Sequence, residues 1–144
     1  MLVNQILSAK PTTGVQTINP TMSVSDAARE LSSKRIGALV VSSDGKRAEG
    51  ILSERDIVRE LGKRGPTCMS DSVADLMTKD LTTCSADDTA DDVLAKMTAG
   101  RFRHIPVLSG DEMIGLISIG DVVKARLSEL SMEKDALQGM IMGH

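Results

Sequence analysis

The chain has 144 residues, of which 41% are apolar and 26% charged, enough for one core in one compact module. Net charge is −3 but unevenly spread, +3 over residues 1–70 and −6 over residues 71–144, which argues against a nucleic-acid surface covering the molecule. One Phe and no Tyr or Trp give an aliphatic, Met-filled core, and the lack of any 18-residue apolar run excludes a membrane-spanning helix.

The opening Met-Leu-Val-Asn-Gln carries no secretory pattern, so a soluble, cytoplasmic protein is expected. Cys68 and Cys84 form no CxxC and have no clustered His partners, which predicts ordinary reduced cysteines and no metal site.

Along the chain, Val3-Asn-Gln-Ile-Leu7 precedes a Thr-containing extended run from Val15 to Ile18. Ser23 or Ser25 then caps a helix with apolar Ala27, Ala28 and Leu31, which ends near Lys34-Arg35-Ile-Gly37, where Gly permits a left-handed exit. Ala38 to Val41 reads as a strand, Asp44-Gly45 as a turn, and Glu49 to Leu52 as the returning strand. A helix from about Glu54 to Arg64 follows, and Gly65-Pro66 ends it and opens a linker. The second half repeats this order: a strand near 81–84, a helix near 88–100, strands at 104–108 and 113–118 around a turn at Gly110-Asp111, and a helix from Gly120. That last helix keeps apolar residues at Val123, Leu127, Leu130, Leu137 and Ile141, a stripe that asks for a partner and predicts a homodimer contact.

The two halves are copies. Gly50-Ile-Leu-Ser-Glu-Arg-Asp-Ile-Val-Arg59 recurs as Gly115-Leu-Ile-Ser-Ile-Gly-Asp-Val-Val-Lys124. Val3–Leu7 matches Val73–Met77, Ser23–Leu31 matches Thr89–Met97, and Ile36–Val41 matches Phe102–Val107. A period of about 65 residues exceeds the roughly 20–50 of solenoid repeats, so two pseudo-equivalent halves share one core. The fold class is mixed, α+β or α/β, built as two β-α-β-β-α motifs.

Each copy places a serine and an aspartate, Ser53 with Asp56 and Ser118 with Asp121, where a strand hands over to a helix. As structure, the pair caps the helix and sets a carboxylate in its first turn. As function, a carboxylate and hydroxyl beyond a strand's carboxyl end suit ligand binding, and a carboxylate accepts both hydroxyls of a ribose. Both readings remain open from spacing alone. Asp87, Asp88, Asp91 and Asp92 read as acids complementing a helix N-terminus, and the Met-rich stretch from Met132 to Met142 as helix packing.

The doubled Gly-hydrophobic-hydrophobic-Ser-x-x-Asp pattern, with Val73-Ala-Asp-Leu-Met-Thr-Lys-Asp80 and Phe102-Arg-His-Ile-Pro-Val107, resembles the cystathionine-β-synthase (CBS) domain. The resemblance covers residues 3–128 and makes the chain similar to a stand-alone CBS pair, with motifs over 1–68 and 69–128 and a helical extension over 129–144. It implies a pseudo-two-fold axis and two clefts that take adenosine ligands, with AMP the first choice and ADP, ATP, NAD(H) or S-adenosylmethionine as alternatives. By that resemblance Ser53 and Asp56 hold the ribose in one cleft, and Ser118 and Asp121 in the other. Adenine would bond to backbone groups of the opposite half's first strand, Thr82, Thr83 and Cys84 for the Asp56 cleft and Gln16, Thr17 and Ile18 for the Asp121 cleft. Arg103 and His104 would bind phosphate in the Asp56 cleft, with Arg55 as a further phosphate ligand. Gly37 and Ala38, their counterparts, carry no charge, so the clefts should be unequal.

The implied role is regulatory and non-catalytic, with the signal read by an effector protein in trans and no metal required. The only histidines are His104 and His144, and Ser53 has no base in view, which argues against an enzyme. The alternative is a ligand-free module that binds protein or nucleic acid.

Overall fold

The computed structural model describes residues 1–10 and 15–141. Its elements are α1 (Val3–Ala9), β1 (Thr17–Ile18), α2 (Val24–Lys34), β2 (Ala38–Val41), β3 (Gly50–Ser53), α3 (Glu54–Arg64), a 3-10 helix (Gly65–Ser70), α4 (Val73–Leu76), β4 (Cys84–Ser85), α5 (Ala90–Gly100), β5 (His104–Ser109), β6 (Glu112–Ser118) and α6 (Ile119–Ile141). Two sheets form, in the orders β1-β2-β3 and β4-β5-β6, each with one parallel and one antiparallel pair. Each half is thus a β-α-β-β-α unit.

Strand alternation explains how two small sheets bury both faces. Leu39, Val41 and Leu52 point into a core with α2, α3 and α4, while Ala38, Val40 and Ile51 point the other way. Ile105, Val107 and Ile117 do the same with α5 and α6, and Met113, Leu108 and Leu116 meet Ala38, Val40 and Ile51 in a third cluster between the sheets. The Met113 N–H donates to the Lys46 carbonyl at 2.8 Å and ties the turns together.

The short helices are exchanged between the halves. Val3 and Ile6 of α1 lie in the core of the second half, and Val73 and Leu76 of α4 lie in the core of the first. Backbone bonds fix both crossings: the Val3 N–H donates to the Asp88 carbonyl and the Val73 N–H to the Met22 carbonyl, each at 2.8 Å. Each half completes its core with a segment from the other's flank.

Several local expectations change. The linker after Arg64 is itself ordered as a 3-10 helix with Pro66 in its first turn and Cys68 buried. Ser23, not Ser25, caps α2, its Oγ accepting the Asp26 N–H. The left-handed exit from α2 falls on Arg35 (φ 54°) rather than on Gly37, and Arg101 (φ 56°) ends α5 in the same way. Gly100 remains helical, and the Phe102 ring lies over it so closely that a Cβ would stand 1.8 Å from its Cε1. The first strand of each half is only two residues long, since pairing with β2 and β5 begins at Thr17 and Cys84.

Candidate functional site: two clefts between the motifs

The N-termini of α3 and α6 open on two clefts between the halves. Their placement is fixed identically: the Glu54 N–H donates to the Gly37 carbonyl at 2.9 Å and the Ile119 N–H to the Arg103 carbonyl at 2.8 Å. Each helix start is therefore pinned beside the start of the central strand.

The first cleft, about 1010 Å³, is lined by Ser53, Arg55, Asp56, Arg103 and His104, and additionally by Arg59, Asp80, Leu81, Thr82 and Arg101. Asp56 is 6% exposed. Its Oδ2 accepts the Ser53 N–H at 2.9 Å and the Ser53 Oγ–H at 3.0 Å, and its Oδ1 accepts from Arg59 Nη2 at 2.7 Å. The Asp56 N–H donates back to Ser53 Oγ at 3.2 Å, so the pair is a true capping box as well as a polar patch in the cleft. Among the described residues, Arg55, Arg101 and Arg103 line this cleft without any carboxylate within ion-pair distance. The same wall carries Glu54, Asp56 and Asp80, so the three guanidiniums share the concavity with carboxylates but are not ion-paired to them; forked donors of this kind match phosphate oxygens.

The second cleft, about 690 Å³, is lined by Ser118, Asp121, Lys10, Val15, Gln16, Arg35 and Leu116. Asp121 Oδ2 accepts the Ser118 N–H and Lys10 Nζ, each at 2.9 Å. Burial pushes the Asp121 carboxyl upward, but the Ser118 N–H and the Lys10 ammonium outweigh it and hold the group below the ordinary value. Lys10 Nζ also donates to the Leu116 carbonyl at 2.9 Å.

His104 lines both clefts, and its ring stands beside Gly37. Burial is the strongest influence on the imidazole and, helped by Lys10 and Arg103 against the pull of Asp121 and Glu54, holds its pKa below the ordinary value. A pKa below the ordinary value leaves the ring neutral at pH 7.

Ser53, Asp56, Arg55, Arg103 and His104 meet in one cleft and Ser118 and Asp121 in the other, with Ser118, like His104, lining both. Thr17, Ile18, Thr83 and Cys84 do not line either. Ile18 is 4% exposed and Cys84 5% exposed, each in a core, and burial, reinforced by Asp88, pushes the Cys84 thiol up to about 11. Of the expected runs, Gln16 and Thr82 reach the clefts, joined by Val15 and Leu81.

Sequence reasoning missed Lys10, Arg35, Arg59, Asp80 and Arg101. One signal was available: the match of Val3–Leu7 with Val73–Met77 sets Lys10 against Asp80, opposite charges at one repeat position. Three of the four acids at the start of α5 are engaged within the protein. Asp92 caps at Thr89, Asp88 accepts from the Ser85 N–H, and Asp91 pairs with Arg126.

The CBS domain family model matches residues 3–63 and 73–128, and the chain belongs to the CBS-domain family. It is 37% identical over 124 residues to "CBS domain-containing protein CBSX3, mitochondrial" of Arabidopsis thaliana, covering 83% of this chain but 60% of that protein. The chain thus spans less than two thirds of that relative's length. Among solved structures it is similar to the CBS-domain containing protein ATU1752 from Agrobacterium tumefaciens, at 41% identity and TM-score 0.82, covering 87% of this chain and 92% of that one. CBSX2, solved in complex with AMP, matches at 26% identity and TM-score 0.73, covering 88% and 96%. The fold of two paired motifs is that of these neighbours. Among the described residues no helix is long and apolar enough to cross a membrane.

Proposed function

We propose that this protein is a non-catalytic regulatory module that binds a phosphorylated adenosine, AMP first among them, in the cleft of Asp56. The observation that carries the reading is the buried Asp56 carboxylate sharing one cleft with Arg55, Arg101 and Arg103, which have no ion pair among the described residues. A carboxylate for a ribose diol and guanidiniums for phosphate are the two recognition elements of a nucleotide, and aliphatic Ile51, Val58 and Leu81 supply apolar wall. The complex of CBSX2 with AMP supports the same choice. Ligand spanning both halves shifts their relative geometry, to the extent that it prefers one arrangement, and an effector in trans reads the shift.

A homodimer completes this reading. Val58 of α3 and Val123 of α6 occupy the same repeat position and are 65% and 45% exposed, and Leu127 and Leu130 extend the apolar stripe. A second copy supplies a matching face through two-fold symmetry.

Calorimetric titration of nucleotide-stripped protein with AMP, ATP, NADH and S-adenosylmethionine tests the function. Binding of one ligand in the micromolar range, removed by Asp56→Ala in a folded variant, supports it. Silence from all four in folded protein moves the assignment to a ligand-free interaction module.

A further inference from the structure

The two ribose carboxylates are neutralised from different places. Asp56 is paired by Arg59, one turn along its own helix, with the guanidinium more than half exposed. Asp121 is paired by Lys10, which is 111 residues away and caps the far end of α1. The lysine is anchored as well as paired, since its Nζ also holds the Leu116 carbonyl.

Helix α1 itself is fixed. Val3 and Ile6 are buried in the second core, and Leu7 packs so tightly on Gly115 that a Cβ there would stand 2.6 Å from Leu7 Cδ2. The Lys10 side chain, about 30% exposed, is the movable part of this contact. At the corresponding position the first cleft has Asp80, whose carboxylate cannot pair with Asp56.

We propose that Lys10 latches the second cleft: its ammonium takes Asp121 Oδ2, one of the two carboxylate oxygens that a ribose diol would use, and ligand binds in full only when Lys10 swings away. This rests on reading both clefts as adenosine sites. The charge reversal between Lys10 and Asp80 then determines which cleft fills first. In the first cleft Asp56 is paired from its own helix, by the more exposed Arg59, whereas in the second Asp121 is held by a cation from the far end of α1.

The test isolates the second cleft with Asp56→Asn and titrates AMP into that variant alone, with added Lys10→Met, and with added Lys10→Arg. Melting curves establish that each is folded. Lys10→Met is expected to tighten binding roughly tenfold, the worth of one charge-assisted hydrogen bond, and Lys10→Arg to restore the weak binding. Unchanged or weaker binding in Lys10→Met overturns the latch. If the unmodified protein binds AMP and loses it with Asp56→Asn, but Lys10→Met gains no second event, the adenosine reading stands and the latch fails. If neither the unmodified protein nor Lys10→Met binds AMP, the reading of the clefts fails and the latch with it. A second readout needs no ligand: Lys10→Met should raise the His104 pKa measured by NMR, because a cation leaves while Asp121 stays, and an unmoved value contradicts the contact.

Discussion

Ser53 and Asp56 hold each other from both sides: the serine hydroxyl accepts the aspartate's N–H while one carboxylate oxygen accepts both the serine's N–H and its hydroxyl. The cap and the proposed ribose site are therefore the same atoms. Losing the carboxylate that accepts the Ser53 N–H makes Asp56→Ala destabilising, by about 1.5–3 kcal/mol, the usual worth of a hydrogen bond to a charged group. Thermal melting should show that loss whether or not ligand is added. Ligand should raise the melting temperature of the unmodified protein and leave that of Asp56→Ala unmoved.

The arginines that line the first cleft without ion-pair partners should matter only to a ligand that carries phosphate. Arg103→Ala or Arg55→Ala is expected to weaken AMP binding by roughly 10- to 100-fold, in line with about 1.5–3 kcal/mol for a hydrogen bond to a charged group. Adenosine without phosphate should bind the variants and the unmodified protein alike. Parallel titrations of the two ligands check this.

His104 gives the module a pH dependence whose sign is set by burial. Its folded pKa lies below the unfolded value near 6.5, so above that pH both states hold a neutral ring and stability is independent of this group. As pH falls below about 6.5 the unfolded chain binds the proton first, and the fold loses stability. His104→Gln should flatten the melting temperature between pH 7 and 5.5. Phosphate arriving beside the ring should raise its pKa, so AMP binding near pH 6 should take up protons, seen as binding heats that vary with buffer ionisation enthalpy. That uptake should vanish in His104→Gln.

The exposed stripe on α6 should decide the oligomeric state. Leu127 is 62% exposed and Leu130 50%, so Leu127→Asp with Leu130→Asp costs the monomer little core packing. Light scattering should find the unmodified protein at twice the mass of the chain and the double variant at about half that. Equal masses would remove this face from the interface.

Much of the architecture was legible because the repeat preserves what physics needs at each place. Ser23 and Thr89 cap the equivalent helices α2 and α5, apolar pairs such as Val41 and Val107 fill equivalent core positions, and Ser53 and Ser118 sit at equivalent strand ends. The exchange of α1 and α4 was not legible, since a short helix offering Val3 and Ile6, or Val73 and Leu76, fits either core equally well. Arg35 and Arg101 were hidden because the left-handed exit was sought at glycine, the residue that adopts it at least cost. The strands expected at the adenine reach the clefts at Gln16 and Thr82, while alternation turns the Ile18 and Cys84 side chains into the cores. Lys10 was visible as a repeat mismatch with Asp80, yet only the folded chain brings it to Asp121.

The claim at the centre of this account is that the two clefts are unequal, and titrating AMP into Asp56→Asn and Asp121→Asn side by side tests it most directly. The account predicts that Asp56→Asn removes the tight binding event and that Asp121→Asn leaves it intact. Equal losses in the two variants, or a loss confined to Asp121→Asn, would contradict it.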